Sequence, residues 1–141
     1  MTEPPYLIQG IPASAVEHFW PFAEPFIKRA LDHANGEFSS DNFKSMCKDR
    51  VFQLWLVSKE KRIFGAITTQ IVVYPQRKHC RIITVAGSDF SNWIDLANKI
   101  LDAWAKEQGC NAMEACVRKG LVPKLTTLGY KHKRSFVTKE L

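Results

Sequence analysis

Arg81-Ile82-Ile83-Thr84-Val85-Ala86-Gly87-Ser88-Asp89-Phe90-Ser91-Asn92-Trp93 is the stretch that decides the fold of this chain. Its first half is β-branched and apolar, as a largely buried strand requires. Gly87 ends that strand, and Ser88, Asp89 and Ser91 are turn and capping types that open a helix. Trp93 begins an apolar stripe that continues through Ala97, Ile100, Leu101 and Trp104, until Gln108-Gly109 closes the helix. Ala112-Met113-Glu114-Ala115-Cys116-Val117 then reads as a further strand. Strand, long helix and strand in succession make a crossover that sets the two strands parallel in one sheet.

The pattern upstream has period two. Phe52 to Val57 reads as a strand and Lys59-Glu60-Lys61 as a charged turn. A longer strand follows, with Ile63, Gly65, Ile67, Thr69, Ile71 and Val73 on one face and Phe64, Ala66, Thr68, Gln70 and Val72 on the other. Tyr74-Pro75-Gln76-Arg77 turns the chain into the strand from Arg81, so the three strands form an antiparallel meander. Before the meander, Val16, Phe19, Trp20, Ala23, Ile27, Ala30, Leu31 and Ala34 recur at helical spacing, interrupted by Pro21 and Pro25 and stopped at Asn35-Gly36. Ser39-Ser40-Asp41 offers an N-cap for a second helix through Phe43 and Met46. Downstream, a short helix around Leu121 to Leu128 and a Gly129-Tyr130 turn lead to a closing strand from Ser135 to Leu141. Residues 1–13 read as an extended N-terminal segment, and residues 1–141 as one domain.

A hydrophobic share of 45% with 24% charged residues is that of an ordinary globular chain, and no apolar run is long enough to span a bilayer. Met1-Thr2-Glu3-Pro4-Pro5 carries an acid and two prolines where a secretory signal has a basic region and an apolar core, which points to the cytoplasm. Cys47, Cys80, Cys110 and Cys116 form no CxxC pair, and Cys80 and Cys116, inside apolar runs, read as buried reduced thiols. His18, His33, His79 and His132 are dispersed without metal-ligand spacing, so no metal is expected. The net charge of +6 fits an anionic partner or a solvated lysine-rich surface. Its densest patch is Arg118-Lys119, Lys124 and Lys131-His132-Lys133-Arg134. No recognition-helix, RNP or zinc-finger pattern accompanies it, and nucleic-acid binding rests on charge alone.

The order of elements resembles that of the GNAT acyl-CoA N-acyltransferase superfamily, an α/β (α+β) fold with a mixed central sheet of about five or six strands flanked by helices. Leu125-Thr126-Thr127-Leu128-Gly129-Tyr130 resembles the segment ending in LGF or LGY that closes the penultimate helix in many of its members. Trp104-Ala105-Lys106-Glu107-Gln108-Gly109-Cys110 resembles the family's helix ending before the fifth strand. The likeness is nearest to small bacteriophage-encoded GNAT-like proteins, through Thr69-Gln70-Ile71-Val72-Val73-Tyr74-Pro75 and Ala103 to Cys110.

The resemblance implies transfer of an acetyl group from acetyl-CoA to a small-molecule or protein amine. It places the cofactor between the splayed fourth and fifth strands, against Val85, Ala86, Gly87, Ser88 and Asn92, with Arg118 and Lys119 as cations for its phosphates. A backbone N–H near Val85 or Ala86 would polarise the acyl carbonyl. The family's phosphate loop has a basic residue and two small positions, whereas Val85 to Asn92 here keeps one glycine and adds Asp89. Asp89 and Ser91 are expected to cap the helix themselves. Leu125 stands where many members carry a proton-donating tyrosine, and Arg118 falls near a frequent asparagine. That leaves Glu114 as the candidate catalytic carboxylate. Trp20 is a core residue or a wall of the acceptor cleft. The alternative to the enzyme is a non-catalytic GNAT-fold module, a virion component or a factor that binds phage or host proteins.

Overall fold

The computed structural model describes residues 5–34 and 36–141. Strand β1 (Leu7–Ile11) leads through a short 3-10 turn into helix α1 (Val16–Leu31) and helix α2 (Ser40–Lys48). Strands β2 (Gln53–Lys59), β3 (Arg62–Val73) and β4 (Lys78–Gly87) form the meander. Helix α3 (Phe90–Glu107), strand β5 (Ala112–Ala115) and helix α4 (Val122–Thr127) follow. The sheet has five strands in the order β1-β2-β3-β4-β5, antiparallel except where β5 joins β4. The crossover through α3 thus gives the parallel pair that the strand–helix–strand pattern predicts.

Two cores follow from the alternation of side chains along the strands. Leu54, Leu56 and Ala66 face α1 and α2, meeting Val16, Trp20, Ala23, Ile27 and Phe43. Trp55, Val57 and Ile67 face α3, meeting Trp93, Ile94, Ala97 and Leu101. Trp93 is wholly buried over a glycine pair, Gly65 opposite Gly87 in the β3–β4 register, and a Cβ on either would lie within 3 Å of its indole. Two threonines are the buried polar residues. Thr68 pairs with the Thr84 hydroxyl at 2.7 Å, while Thr69 accepts from Trp55 Nε1 at 3.0 Å and donates to Gln53 Oε1 at 2.9 Å.

Several expectations need correction. Pro21 and Pro25 do not interrupt α1. Both are exposed, so the carbonyls they leave without an N–H can be met by water. The helix stops at Leu31, before the expected signal, of which Asn35 lies outside the described residues while Gly36 has φ of +85°. The N-terminal segment is a strand in part, because residues 7–11 find β2 as a ladder partner. β5 ends at Ala115, so Cys116 is exposed, not buried. The closing strand from Ser135 to Leu141 is not formed. That segment has no regular structure and is exposed throughout, pairing with neither edge strand of the sheet. Trp20 is a core residue, donating from Nε1 to Glu24 at 3.3 Å.

Candidate active site

The sheet opens where β4 and β5 part. Their pairing runs from His79 opposite Ala112 to Ile82 opposite Ala115 and ends there, although β4 continues to Gly87 paired with β3. At the same point β4 bulges: Thr68 pairs with Thr84 and Thr69 with Ile82, which leaves Ile83 as the extra residue. From Ile83 to Gly87 the strand therefore has a ladder neighbour on one side only among the described residues. Below this gap lies a cleft walled by Ile82, Val85, Ile94, Val117, Leu125 and Leu128, with Asn98 and Lys124 among its few polar groups. Lys124 is 3.7 Å from Asp95 and ties α4 to α3 across it. The free space is about 20 Å³, room for roughly one water.

Above the cleft, the start of α3 departs from the sequence expectation. Asp89 precedes the helix in the left-handed region (φ 55°), and its side chain caps nothing. Its carboxylate instead accepts from the Tyr6 hydroxyl at 3.2 Å, so β1's flank draws it away from the helix amides. Ser91 supplies no cap either. Ser88 N–H donates to Phe64 O at 2.7 Å, and Ser88 O accepts from Trp93 Nε1 at 2.7 Å. Ser88 is thus committed to the sheet and to Trp93. Gly87 is a strand residue whose missing Cβ makes room for Phe64 O and Trp93. Asn92 N–H closes the first turn onto Asp89 O, which leaves the amides of Phe90 and Ser91 as the donors without a side-chain cap.

Glu114 sits on the opposite face of the sheet from the cleft, since its neighbour Met113 packs towards α3. Its Oε1 accepts from the Tyr74 hydroxyl at 2.7 Å and faces His79 Nδ1 at 3.0 Å, while Oε2 accepts from Arg81 Nε at 3.3 Å. Burial pushes this carboxyl up, but the Tyr74 hydrogen bond, the Arg81 charge and the bonds from His79 and Arg81 outweigh it and hold the group below the usual carboxylate range. A carboxylate so stabilised is ionised at neutral pH and a weak base. With Glu114 as acceptor, His79 carries its proton on Nδ1, and Nε2 is buried without a partner. Tyr74, His79 and Arg81 were not singled out in the sequence. Period two puts His79 and Arg81 on one face, but only the β4–β5 register brings Glu114 between them.

The remaining candidates separate. Val85 lines the cleft and Ala86 lies on the open stretch of β4. Arg118 reaches the end of α1, where Nη1 is 3.4 Å from His33 Nε2. Lys119 sits exposed in the 3-10 turn before α4. Tyr130, at the foot of α4, buries a hydroxyl with no hydrogen-bond partner, and burial, then the charges of Asp102 and Cys80, push its ionisation well up. Among the described residues, no helix is long and apolar enough to cross a membrane.

No protein-family model matches the sequence, and no curated protein sequence does. Solved structures do match. An aminoglycoside acetyltransferase from an uncultured soil metagenomic sample, in complex with sisomicin, superposes with a TM-score of 0.69 at 13% identity, over 96% of each chain. An aminoglycoside N-acetyltransferase in complex with CoA gives a TM-score of 0.69 at 10% identity, over 99% of this chain and 97% of that one. This chain has the GNAT fold. A predicted acetyltransferase with acetyl-CoA from Clostridium acetobutylicum gives a TM-score of 0.67 at 11% identity, over 96% of each chain. Identities this low establish the GNAT architecture and leave chemistry to the residues themselves.

Proposed function

We propose that this GNAT-fold chain is an N-acyltransferase that moves an acetyl group from acetyl-CoA to an amine. The observation that carries the reading is the gap between β4 and β5, where a bulged strand with an open edge borders an apolar cleft. An open strand edge can bond the amides of a pantetheine arm as a neighbouring strand would, and an apolar cleft suits its carbon chain. The open edge of β4 fits the arm's amides, the cleft must widen to admit its carbon chain, and the fit to the phosphates is partial. Val85 and Ala86 would hold the thioester, and the amides of Phe90 and Ser91 would take the pyrophosphate, beside Gly87 and Asn92. Ser88 and Arg118 are engaged elsewhere in this structure, and Lys119 is the exposed cation to test.

Bound acetyl-CoA supplies the activated acyl group. In this proposal a backbone N–H at Val85 or Ala86 would polarise the carbonyl, the amine nitrogen would form the new C–N bond as the thioester C–S bond breaks, and the departing CoA thiolate would take its proton from solvent. Glu114 fixes Tyr74 and His79 beside the gap, and as a weak base it leaves the amine's proton to water. Aminoglycoside acetyltransferases among the structural neighbours make polyamine-like small molecules the first acceptors to try. Phage or host proteins are a second class of acceptor to test.

Calorimetric titration with acetyl-CoA tests the proposal. Ligand at a hundredfold excess over its Kd raises stability by about 2.7 kcal/mol. No heat and no thermal shift at millimolar acetyl-CoA would overturn it. That result would favour a non-catalytic binding module, a second reading supported by the closed cleft and by Asp89, whose charge beside the helix start opposes a pyrophosphate.

A further inference from the structure

The cleft below the β4–β5 gap borders an open strand edge, yet it has no room for a ligand. Its free space is about 20 Å³, against about 300–1,000 Å³ in sites that hold small molecules. The segment that fills it is α4 with its flanks. Leu121, Leu125 and Leu128 recur at helical spacing and line the cleft together with Ile94 and Leu101 of α3.

The two helices that wall the cleft are held differently. α3 buries Trp93, Ile94, Ala97, Leu101 and Ala105, whereas α4 has six residues and buries none. Gly120 and Gly129 bracket α4, and a Cβ on either would meet nothing within 4 Å. Gly129, at φ of +98°, ends the helix. Gly120 has neither a close neighbour nor a left-handed φ, so backbone freedom is what it contributes. The hydroxyls of Thr126 and Thr127 bond back to their own helix. The polar side-chain tie from α4 to α3 is therefore Lys124 to Asp95 at 3.7 Å, with the two side chains 35% and 67% exposed. The closed arrangement also buries the Tyr130 hydroxyl without a partner among the described residues, a cost that water entering a wider cleft would relieve.

We propose that α4 is a hinged flap whose leucines fill the cleft when closed and uncover the edge of β4 when it swings about Gly120 and Gly129, with the Lys124–Asp95 pair as its latch. The opening is a property of the free chain; that acetyl-CoA is the ligand it admits rests on the acyltransfer reading. A ligand that enters only the open form has an apparent Kd equal to its intrinsic Kd divided by the open fraction. Loosening the latch therefore tightens binding by the same factor as it raises that fraction.

Methyl relaxation dispersion on the full chain, which reads hinge motion on the microsecond-to-millisecond scale, is the test. Exchange is expected at Leu125, Leu128 and Ile94, and not at Leu54 or Leu56 in the core under α1. Lys124→Ala and Asp95→Asn break the latch from opposite sides, and each should raise the open population about two- to fivefold, the range of an exposed ion pair. Lys124→Arg should keep the wild-type population. Cleft methyls as silent as those of Leu54 in wild type and both latch variants overturn the flap, as does a population that either latch variant leaves unchanged. Acetyl-CoA titration of the same proteins reads the gating: the apparent Kd should fall by the factor through which the open population rises, and a constant Kd overturns it. Absence of acetyl-CoA binding to wild type and variants alike would instead overturn acyltransfer, and the dispersion result would decide the flap by itself.

Discussion

Gly87→Ala puts the account of the β4–α3 junction to its hardest trial. A Cβ built on Gly87 lies 2.4 Å from Phe64 O, 2.7 Å from Gly65 Cα and 2.8 Å from Trp93 Cζ2. Two of those three atoms are backbone, and the third belongs to an indole with no exposed surface. None can give way cheaply, since β3 and β4 are paired at this point and Trp93 is bonded to Ser88 O. Overpacking a core typically costs about 1–3 kcal/mol, and backbone clashes place this case near the top, at about 3 kcal/mol. Unfolding entropy of about 2.1 cal/mol/K per residue gives about 0.3 kcal/mol/K for 141 residues, so Tm should fall by about 10 °C. Differential scanning calorimetry reads this directly. Gly120→Ala is the control: a Cβ there meets nothing within 4 Å, and its effect should stay within about 0.5 kcal/mol. A Gly87→Ala protein melting within about 2 °C of wild type would refute the reasoning. If such a protein also lost its heat of acetyl-CoA binding, the glycine would serve ligand approach and not Trp93 packing.

Three further outcomes are expected. Thr68→Val should cost about 1–2 kcal/mol in urea unfolding, because the Thr84 hydroxyl 2.7 Å away loses its partner, and Thr68→Val with Thr84→Val should cost less than the two single changes summed. Glu114 is held below its ordinary range when folded, so its contribution is full above the unfolded value of about 4.3 and is lost as pH falls through the folded one; Glu114→Gln should flatten the acid limb of a Tm–pH profile below about pH 4.3, and an unchanged limb would count against the network. Thiol titration of the native protein should label Cys116 first and Cys110 more slowly. Cys47 and Cys80, whose thiols burial pushes up to about 12, should react only in denaturant.

The sequence by itself determined the architecture from Ser39 to Tyr130. Period two across residues 52–86 and the apolar stripe of residues 93–104 are local patterns, and each had one geometry that could bury it. The Ser39 cap is local too, and it forms a full capping box with Asn42, each residue's side chain accepting from the other's backbone. The candidate site was legible only as a region. Val85, Ala86 and Gly87 could be placed at the end of a strand because the strand-to-helix boundary is written in neighbouring residues. The commitment of Ser88 to Phe64, the capture of Asp89 by Tyr6 and the network around Glu114 were not, because each joins residues more than 20 positions apart. Tertiary structure also overruled two local signals. The prolines of α1 sit on its solvent face, where their lost hydrogen bonds cost little, and whether a proline faces solvent is set by packing. The strand-like run from Ser135 to Leu141 stays single because strand formation needs a paired edge as well as a propensity, and pairing is decided by tertiary structure and not by local composition.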